Sequence, residues 1–329
     1  MRISISSTTF LLPGTILLGL GVGYLFPVTG KELGALIDPL VIILLALLFF
    51  EIRFAPLREI AQHRGFISLA WVANFILVPI LGWGIASLFF GNQPALFAGL
   101  LLYLLLPCTD WFLAFTRIAK GDTALGSVLI PINLISQLLL FPVYLALFLG
   151  SDASIDLTRM WGTFGEWFLL PLIAAVLIRL LLTRALPPNR FEPVPRYAGF
   201  LVQWVLAGLV FCIFSCHTPQ LITHSTSFPL ILLAVFIFFV MTSFLSEFLS
   251  WRFRLSQPQH VLLSMTTAAR NSPLMLGLAT IALPDQPVVY AVLIIGMLVE
   301  FPHLTFLSRL LLRQGRRITP SGSNPVTTT

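Results

Sequence analysis

The chain has 329 residues, of which 57% are hydrophobic and 10% charged, with a formal net charge of +6. Apolar runs of about 20 residues, the length a helix needs to cross the hydrocarbon, recur from end to end, so the composition describes an integral membrane protein rather than a soluble domain. The basic residues are scattered among short connections, which argues against a nucleic-acid partner.

In chain order, runs of spanning length begin near Phe10, Gly34, Phe66, Ala95, Leu125, Trp161, Ala198, Phe228, His260 and Pro287. Segments such as Leu40 to Phe50 are apolar on every side, unlike the alternating strands of a membrane barrel. The expectation is an all-α membrane protein of about ten transmembrane helices. Residues 2–26 imitate a signal peptide, because Arg2 precedes an apolar stretch. No small-x-small cleavage site follows, so a retained first helix is expected.

Placing the first helix with its start inside puts 16 of the 19 basic residues on the inner side, Arg179 among them. Lys31 and Arg159 fall outside, and Arg270 stays in the membrane. By the positive-inside rule both termini are cytoplasmic and the chain is multi-pass in the plasma membrane. A proline-rich inner connection runs from Leu186 to Arg196, and Ser151 to Arg159 form a polar outer loop. Residues 319–329 are rich in Ser, Thr, Pro, Gly and Asn and read as a disordered cytoplasmic tail.

Two polar interruptions divide the fourth and ninth runs: Pro107-Cys108-Thr109-Asp110 and Ala269-Arg270-Asn271-Ser272-Pro273. Each is followed by a short loop and then by a span holding Phe-Pro, at Phe141-Pro142 and Phe301-Pro302. The repeat divides the chain into 1–150, a first five-helix unit, and 151–318, a second. An odd number of spans per unit makes the repeat inverted, with broken helices four and nine crossing near the midplane. Freed backbone groups at such a crossing bind solutes.

Pro107 and Pro273 mark the breaks. Cys108 sets a soft sulfur beside freed carbonyls, a ligand suited to thiophilic species such as trivalent metalloids. Asp110 and Arg270 hold equivalent places and are expected to pair, since buried charges are rarely left alone. Asn133 and Gln137, four residues apart, make a polar stripe on an apolar span that either lines the site or joins helices. Glu300, just before Phe301-Pro302, is a carboxyl at membrane depth and a candidate proton carrier. Glu247, beside Trp251 and Arg252, reads as the partner of an interfacial arginine. Cys212 and Cys216 share a helix face and read as packing residues. There is no phosphate-binding Gly-x-x-x-x-Gly-Lys-Ser/Thr loop and no His-Glu-x-x-His, so neither an enzyme nor an ATP-driven pump is indicated, and no cofactor or bound metal is expected.

Taken in order, Pro107-Cys108-Thr109, Lys120-Gly121-Asp122, Ile132-Asn133-x3-Gln137, Asn271 and Glu300-x-Pro302 resemble the Acr-type arsenical-resistance permeases, a branch of the bile acid:sodium symporter superfamily. The resemblance covers essentially the whole chain. It implies export of arsenite, sometimes antimonite, in exchange for protons, with thiol and carboxyl roles falling on Cys108 and Glu300 and substrate contacts on Thr109, Asn133, Gln137 and Asn271. Sodium-coupled relatives carry small polar residues after the first break and a glutamine or similar group at the second; here Phe112, Leu113 and Arg270 stand there, which disfavours sodium. Asp110, Trp111, Arg270 and Pro273 depart from the arsenite branch and keep a small organic anion open as the cargo. A non-transporting receptor or scaffold is a third reading, weakened by the absence of a sizeable soluble region.

Overall fold

A computed structural model describes residues 5–50, 62–109, 111–149, 170–185, 187 and 193–318. Asp110, the polar loop 151–159 and the tail 319–329 lie outside the described residues. Every named element among the described residues is helical: α1 Ile5–Leu25, α2 Pro27–Leu33, α3 Ile37–Phe50, α4 Arg64–Val72, α5 Val78–Phe90, α6 Pro94–Leu105, α7 Trp111–Ile118 and α8 Thr123–Leu149. There follow α9 Leu170–Ala185, α10 Pro193–Cys216, α11 Thr218–Thr223, α12 Phe228–Arg252, α13 Gln257–Ala268, α14 Ser272–Ala282 and α15 Pro287–Ile318.

Among the described residues, six stretches are long and apolar enough to cross a membrane: Pro27–Phe50, Arg64–Phe90, Thr123–Phe148, Tyr197–Cys216, Ser225–Arg252 and Pro287–Gly315. Pro13–Leu25, Pro94–Leu105 and Ser272–Ala282 are shorter apolar helices. Large apolar side chains point outward along these helices, with Leu88 80% and Phe244 72% exposed. Such a surface is stable against lipid and not against water.

The proline-rich connection is shorter than the sequence suggested, since α10 already begins at Pro193. Proline is tolerated in a first helical turn, where the missing N–H has no intrahelical acceptor. Arg179 lies within α9, where its guanidinium donates to the Phe50 carbonyl at 2.6 Å. A long arginine reaches a helix end from inside an apolar stretch without leaving its charge unsolvated.

Helix α10 packs against α1 and α3, and α3 against α9, while α6 packs between α5 and α15, and α12 between α13 and α15. Two buried apolar clusters result, a large one through α3, α6, α10, α12, α14 and α15 and a smaller one around α7, α13 and Phe66. The contact of α6 with α15 is close because Gly99 faces Val292, where an added Cβ would come within 2.8 Å of Val292 Cβ. Gly84 has nothing within 4 Å of an added Cβ. Gly99→Ala is therefore expected to lower the stability of the purified protein by about 1–3 kcal/mol through overpacking. Gly84→Ala should leave its thermal unfolding unchanged or slightly raised, and equal melting temperatures for the two variants would contradict the packing.

Candidate functional site at the crossing of two broken helices

Helix α6 stops at Leu105 and α13 at Ala268, and the chain beyond each is extended at Leu106 and Ala269. A helix that ends inside the membrane must find partners for its freed backbone groups. Each break supplies the other's. Pro107 and Arg270 form an antiparallel bridge, the Cys108 N–H donates to the Ala269 carbonyl at 3.0 Å, and the Asn271 N–H donates to the Leu106 carbonyl at 3.0 Å. The two interruptions thus cross backbone to backbone. Pro273 sits in the first turn of α14 and begins that half-helix rather than ending the one before it.

Arg270 is fully buried, and among the described residues its guanidinium finds carbonyls. Nη1 donates to Leu104 at 3.1 Å, and Nη2 donates to Thr267 at 2.7 Å and Thr266 at 3.2 Å. These oxygens are the unsatisfied C-terminal ends of α6 and α13, where helix dipoles favour a cation. The charge also lies 5.4 Å from the Phe238 ring centroid, and its own backbone N–H donates to Glu300 Oε1 at 2.9 Å. One side chain thereby caps both broken helices.

Beside this cap lies a buried amide and hydroxyl network. Asn271 Nδ2 donates to Thr109 Oγ1 and to Gln137 Oε1, each at 3.2 Å, while Asn271 Oδ1 caps α14 by accepting from the Leu274 N–H. Asn133 and Asn74 both donate through Nδ2 to Thr266 Oγ1, at 3.3 and 3.0 Å. Asn74 Oδ1 and Gln137 Nε2 are buried with no hydrogen-bond partner among the described residues. An orphaned acceptor and donor this close to one network are costly for stability and suited to a polar solute.

Thr109, Gln137 and Asn271 are therefore joined directly and Asn133 through Thr266, while Ser272 of the second break bonds Glu300 and Asn74, Thr266 and Thr267 join the surroundings without having been anticipated. Asn74 sits in a π-helical turn, Ala73–Leu77, between α4 and α5. Such turns recur at functional sites, and the visible signal was a lone amide in the apolar run that starts at Phe66.

Glu300 and Arg270 line a narrow cleft with about 20 Å³ of space, room for about one water molecule. Val202 and Gln203 of α10 line it too, as do Trp111 and Phe301. Their rings meet edge to face at 5.1 Å. Glu300 Oε2 also accepts from the Ser272 hydroxyl at 3.4 Å. Cys108 is not brought to this cleft: it is 1% exposed and packs in the smaller apolar cluster with Phe112, Phe115 and Ala269.

Glu247 corrects an expectation. Its ion-pair partner is His260, with Oε2 3.2 Å from Nε2. Arg252 instead lies over the ring of Phe253 at 5.6 Å. Lys120-Gly121-Asp122 is a helix junction. Lys120 takes a left-handed φ of 60°, and Asp122 Oδ1 accepts the Leu125 N–H at the start of α8. A Cβ on Gly121 would fall 2.6 Å from Thr116 Cγ2 and 2.7 Å from Val261 Cγ1.

An apolar, outward-facing helical surface around a polar crossing and a cleft defines a multi-span membrane transporter. The chain belongs to the sodium bile acid symporter family, whose model matches residues 38–225. It is 23% identical over 306 residues to the arsenical-resistance protein Acr3 of Corynebacterium glutamicum, covering 88% of this chain and 82% of that one. It is also 25% identical over 249 residues to the uncharacterized protein YbaS of Bacillus subtilis, covering 75% and 79%.

Proposed function

We propose that this protein exports arsenite, and antimonite as its close chemical relative, across the plasma membrane in exchange for protons. The observation that carries the reading is Glu300, a buried carboxyl that opens on the cleft and is bonded to the Arg270 backbone at the crossing. Likeness to an arsenical-resistance protein supports the cargo.

Arsenite is a neutral trihydroxide near neutral pH, so it asks for hydroxyl and amide partners and a soft ligand, not for a cation. Asn74, Gln137, Asn271 and Thr109 supply the first kind, and Cys108, next to Thr109 in the chain, supplies the second. An organic anion is less well served. Both Nη atoms of Arg270 are committed to carbonyls, and the carboxyl of Glu300 lining the same cleft repels an anion. Sodium coupling is disfavoured because a guanidinium fills the helix ends that a sodium ion would share, and Phe112, wholly buried, offers no oxygen.

We read the architecture as ten spans in two inverted five-helix repeats, residues 1–150 and 151–318, with residues 319–329 a cytoplasmic tail and both termini inside. The matched order of break, loop and Phe-Pro span supports this division. Rocking of one packed group of helices against the other would open Glu300 to each side in turn.

Everted membrane vesicles carrying the protein should accumulate arsenite when their lumen is acidic, in preference to small carboxylates. Cys108→Ser should abolish the accumulation. Arsenite uptake equal to that of empty vesicles would overturn the proposal, and full activity in Cys108→Ser would leave the oxygens, rather than the thiol, as the cargo's ligands.

A further inference from the structure

The interface of α12 with α13 is lined by hydroxyls. Thr242, Ser246 and Ser250 recur at four-residue intervals on α12, and His260, Ser264 and Thr267 share one face of α13. All six are buried. At the end near Arg252, the Glu247 side chain is 61% exposed and its Oε2 lies 3.2 Å from His260 Nε2. His260 Nδ1 hydrogen-bonds with Ser250 Oγ at 2.6 Å, and one turn deeper Ser264 Oγ donates to Ser246 Oγ at 3.0 Å.

The deep end of this seam meets a second imidazole. His303 stands one turn beyond Glu300 on α15 and stacks on Phe239 of α12, with ring centroids 4.0 Å apart and planes 7° from parallel. Its Nε2 is buried with no hydrogen-bond partner among the described residues. Thr242 Oγ1 donates to the Phe239 carbonyl at 3.1 Å, so the first seam hydroxyl lies on the turn beside that ring.

Small hydroxyl residues alone are explained by close helix packing. A buried imidazole 3.2 Å from an exposed carboxylate is not, nor is a partly buried one whose Nε2 lacks a described partner three residues from the buried acid. Chains of acid, imidazole and hydroxyl groups inside a membrane are the material of proton relays.

We propose that this seam carries the proton from Glu300 to the cytoplasm, through His303, the α12 and α13 hydroxyls with intervening water, and His260, leaving at Glu247. Each imidazole accepts a proton on one ring nitrogen and releases one from the other, so only N–H and O–H bonds are made and broken. The route rests on the proton-exchange reading above and on the orientation that places the Arg252 end of α12 inside.

Charged groups on elements packed against α13 are Glu247 and Arg252 on α12, Arg64 on α4, Arg117 on α7, and Glu300, Arg309 and Arg313 on α15. Glu247 with His260 is the one ion pair among the described residues. Asp122 approaches the same end of α13, its N–H donating to the Pro258 carbonyl at 3.1 Å, and Gln314 reaches His260 from α15. Around His303 the charged groups are Glu300 on its own helix and Arg270, whose guanidinium covers the neighbouring Phe238 ring.

The test compares two assays in everted vesicles: arsenite accumulation driven by an acidic lumen, at several bath pH values, and arsenite–arsenite counterflow, which moves no net proton. His260→Gln and His303→Gln should each lower driven accumulation about tenfold and leave counterflow intact. Glu247→Gln, at an exposed position that tolerates change, should shift the dependence on bath pH. Variants that match wild type in rate and pH profile would overturn the route, as would a parallel fall in both assays, which is what a structural role gives. A wild type that moves arsenite without proton dependence would instead overturn the exchange reading, and the route with it.

Discussion

Replacing Arg270 with alanine is expected to cost the protein roughly 3 kcal/mol or more of stability, at least ~1 kcal/mol for each charge-assisted hydrogen bond lost, and to abolish export. The reason lies in the membrane rather than in the cargo. Leu104, Thr266 and Thr267 present carbonyls at the ends of two half-helices, in a region where no solvent replaces a missing donor. One planar guanidinium reaches all three, whereas an ammonium is a point charge without that fork. Arg270→Lys should therefore fall between wild type and Arg270→Ala in thermal unfolding.

The same geometry predicts a change in ion response. Wild-type melting in detergent should be the same in sodium chloride as in choline chloride, because the carbonyl cluster already holds a cation. Arg270→Gln vacates that cluster while leaving its oxygens, the hard ligands sodium prefers, so sodium should raise its melting temperature and choline should not. An Arg270→Ala protein that melts and exports like wild type would remove the capping role altogether.

Arg270 also shows how far the sequence could be read. A charge at membrane depth asks for a partner, and the nearest charge by motif position was Asp110. Asp110 lies outside the described residues; the partners that are described are backbone oxygens created by the breaks themselves, and no residue letter announces which carbonyls a break sets free. The breaks were legible because proline and polar residues interrupt long apolar runs, and their crossing was legible because they recur in the same local order. Asn133, Gln137 and Asn271 were visible for the same reason, as amides where apolar side chains are the rule. Asn74 was visible too and was passed over, since one amide in a run of Phe, Ile and Leu does not reveal that the helix there opens into a π turn. Cys108 illustrates a different limit. Its place on the break was readable, but not that burial would count it with the smaller apolar cluster while leaving it within electrostatic reach of Arg270 and Tyr103, nor that Thr109, next to it, would meet Asn271. Glu247 was assigned to an arginine by proximity in the chain, whereas its partner His260 lies on the next helix, a contact set by packing.

Glu300→Gln should uncouple transport from protons while sparing the fold. Glutamine keeps the carboxylate's shape and retains one oxygen to accept the Arg270 N–H, which is the contact that ties α15 to the crossing. What it loses is the ability to take up and release a proton. Arsenite accumulation driven by an acidic lumen should fall by about 100-fold, the scale on which a positioned acid–base group acts. Counterflow of arsenite against arsenite should persist, because the amide network of Asn74, Gln137 and Asn271 is untouched. Glu300→Asp separates position from chemistry: it titrates, but a side chain shorter by one methylene withdraws from the Arg270 N–H, so it should couple weakly and melt earlier than Glu300→Gln. The measurement is paired, labelled arsenite in one channel and a lumenal pH-sensitive dye in the other. In wild type each addition of arsenite to the bath should drive lumenal alkalinisation, and in Glu300→Gln that signal should vanish before counterflow does. Undiminished alkalinisation in Glu300→Gln would move the proton to another group. Loss of counterflow together with alkalinisation would make Glu300 a ligand for the cargo, since a residue that only carries the proton has no part in a half-cycle that moves none.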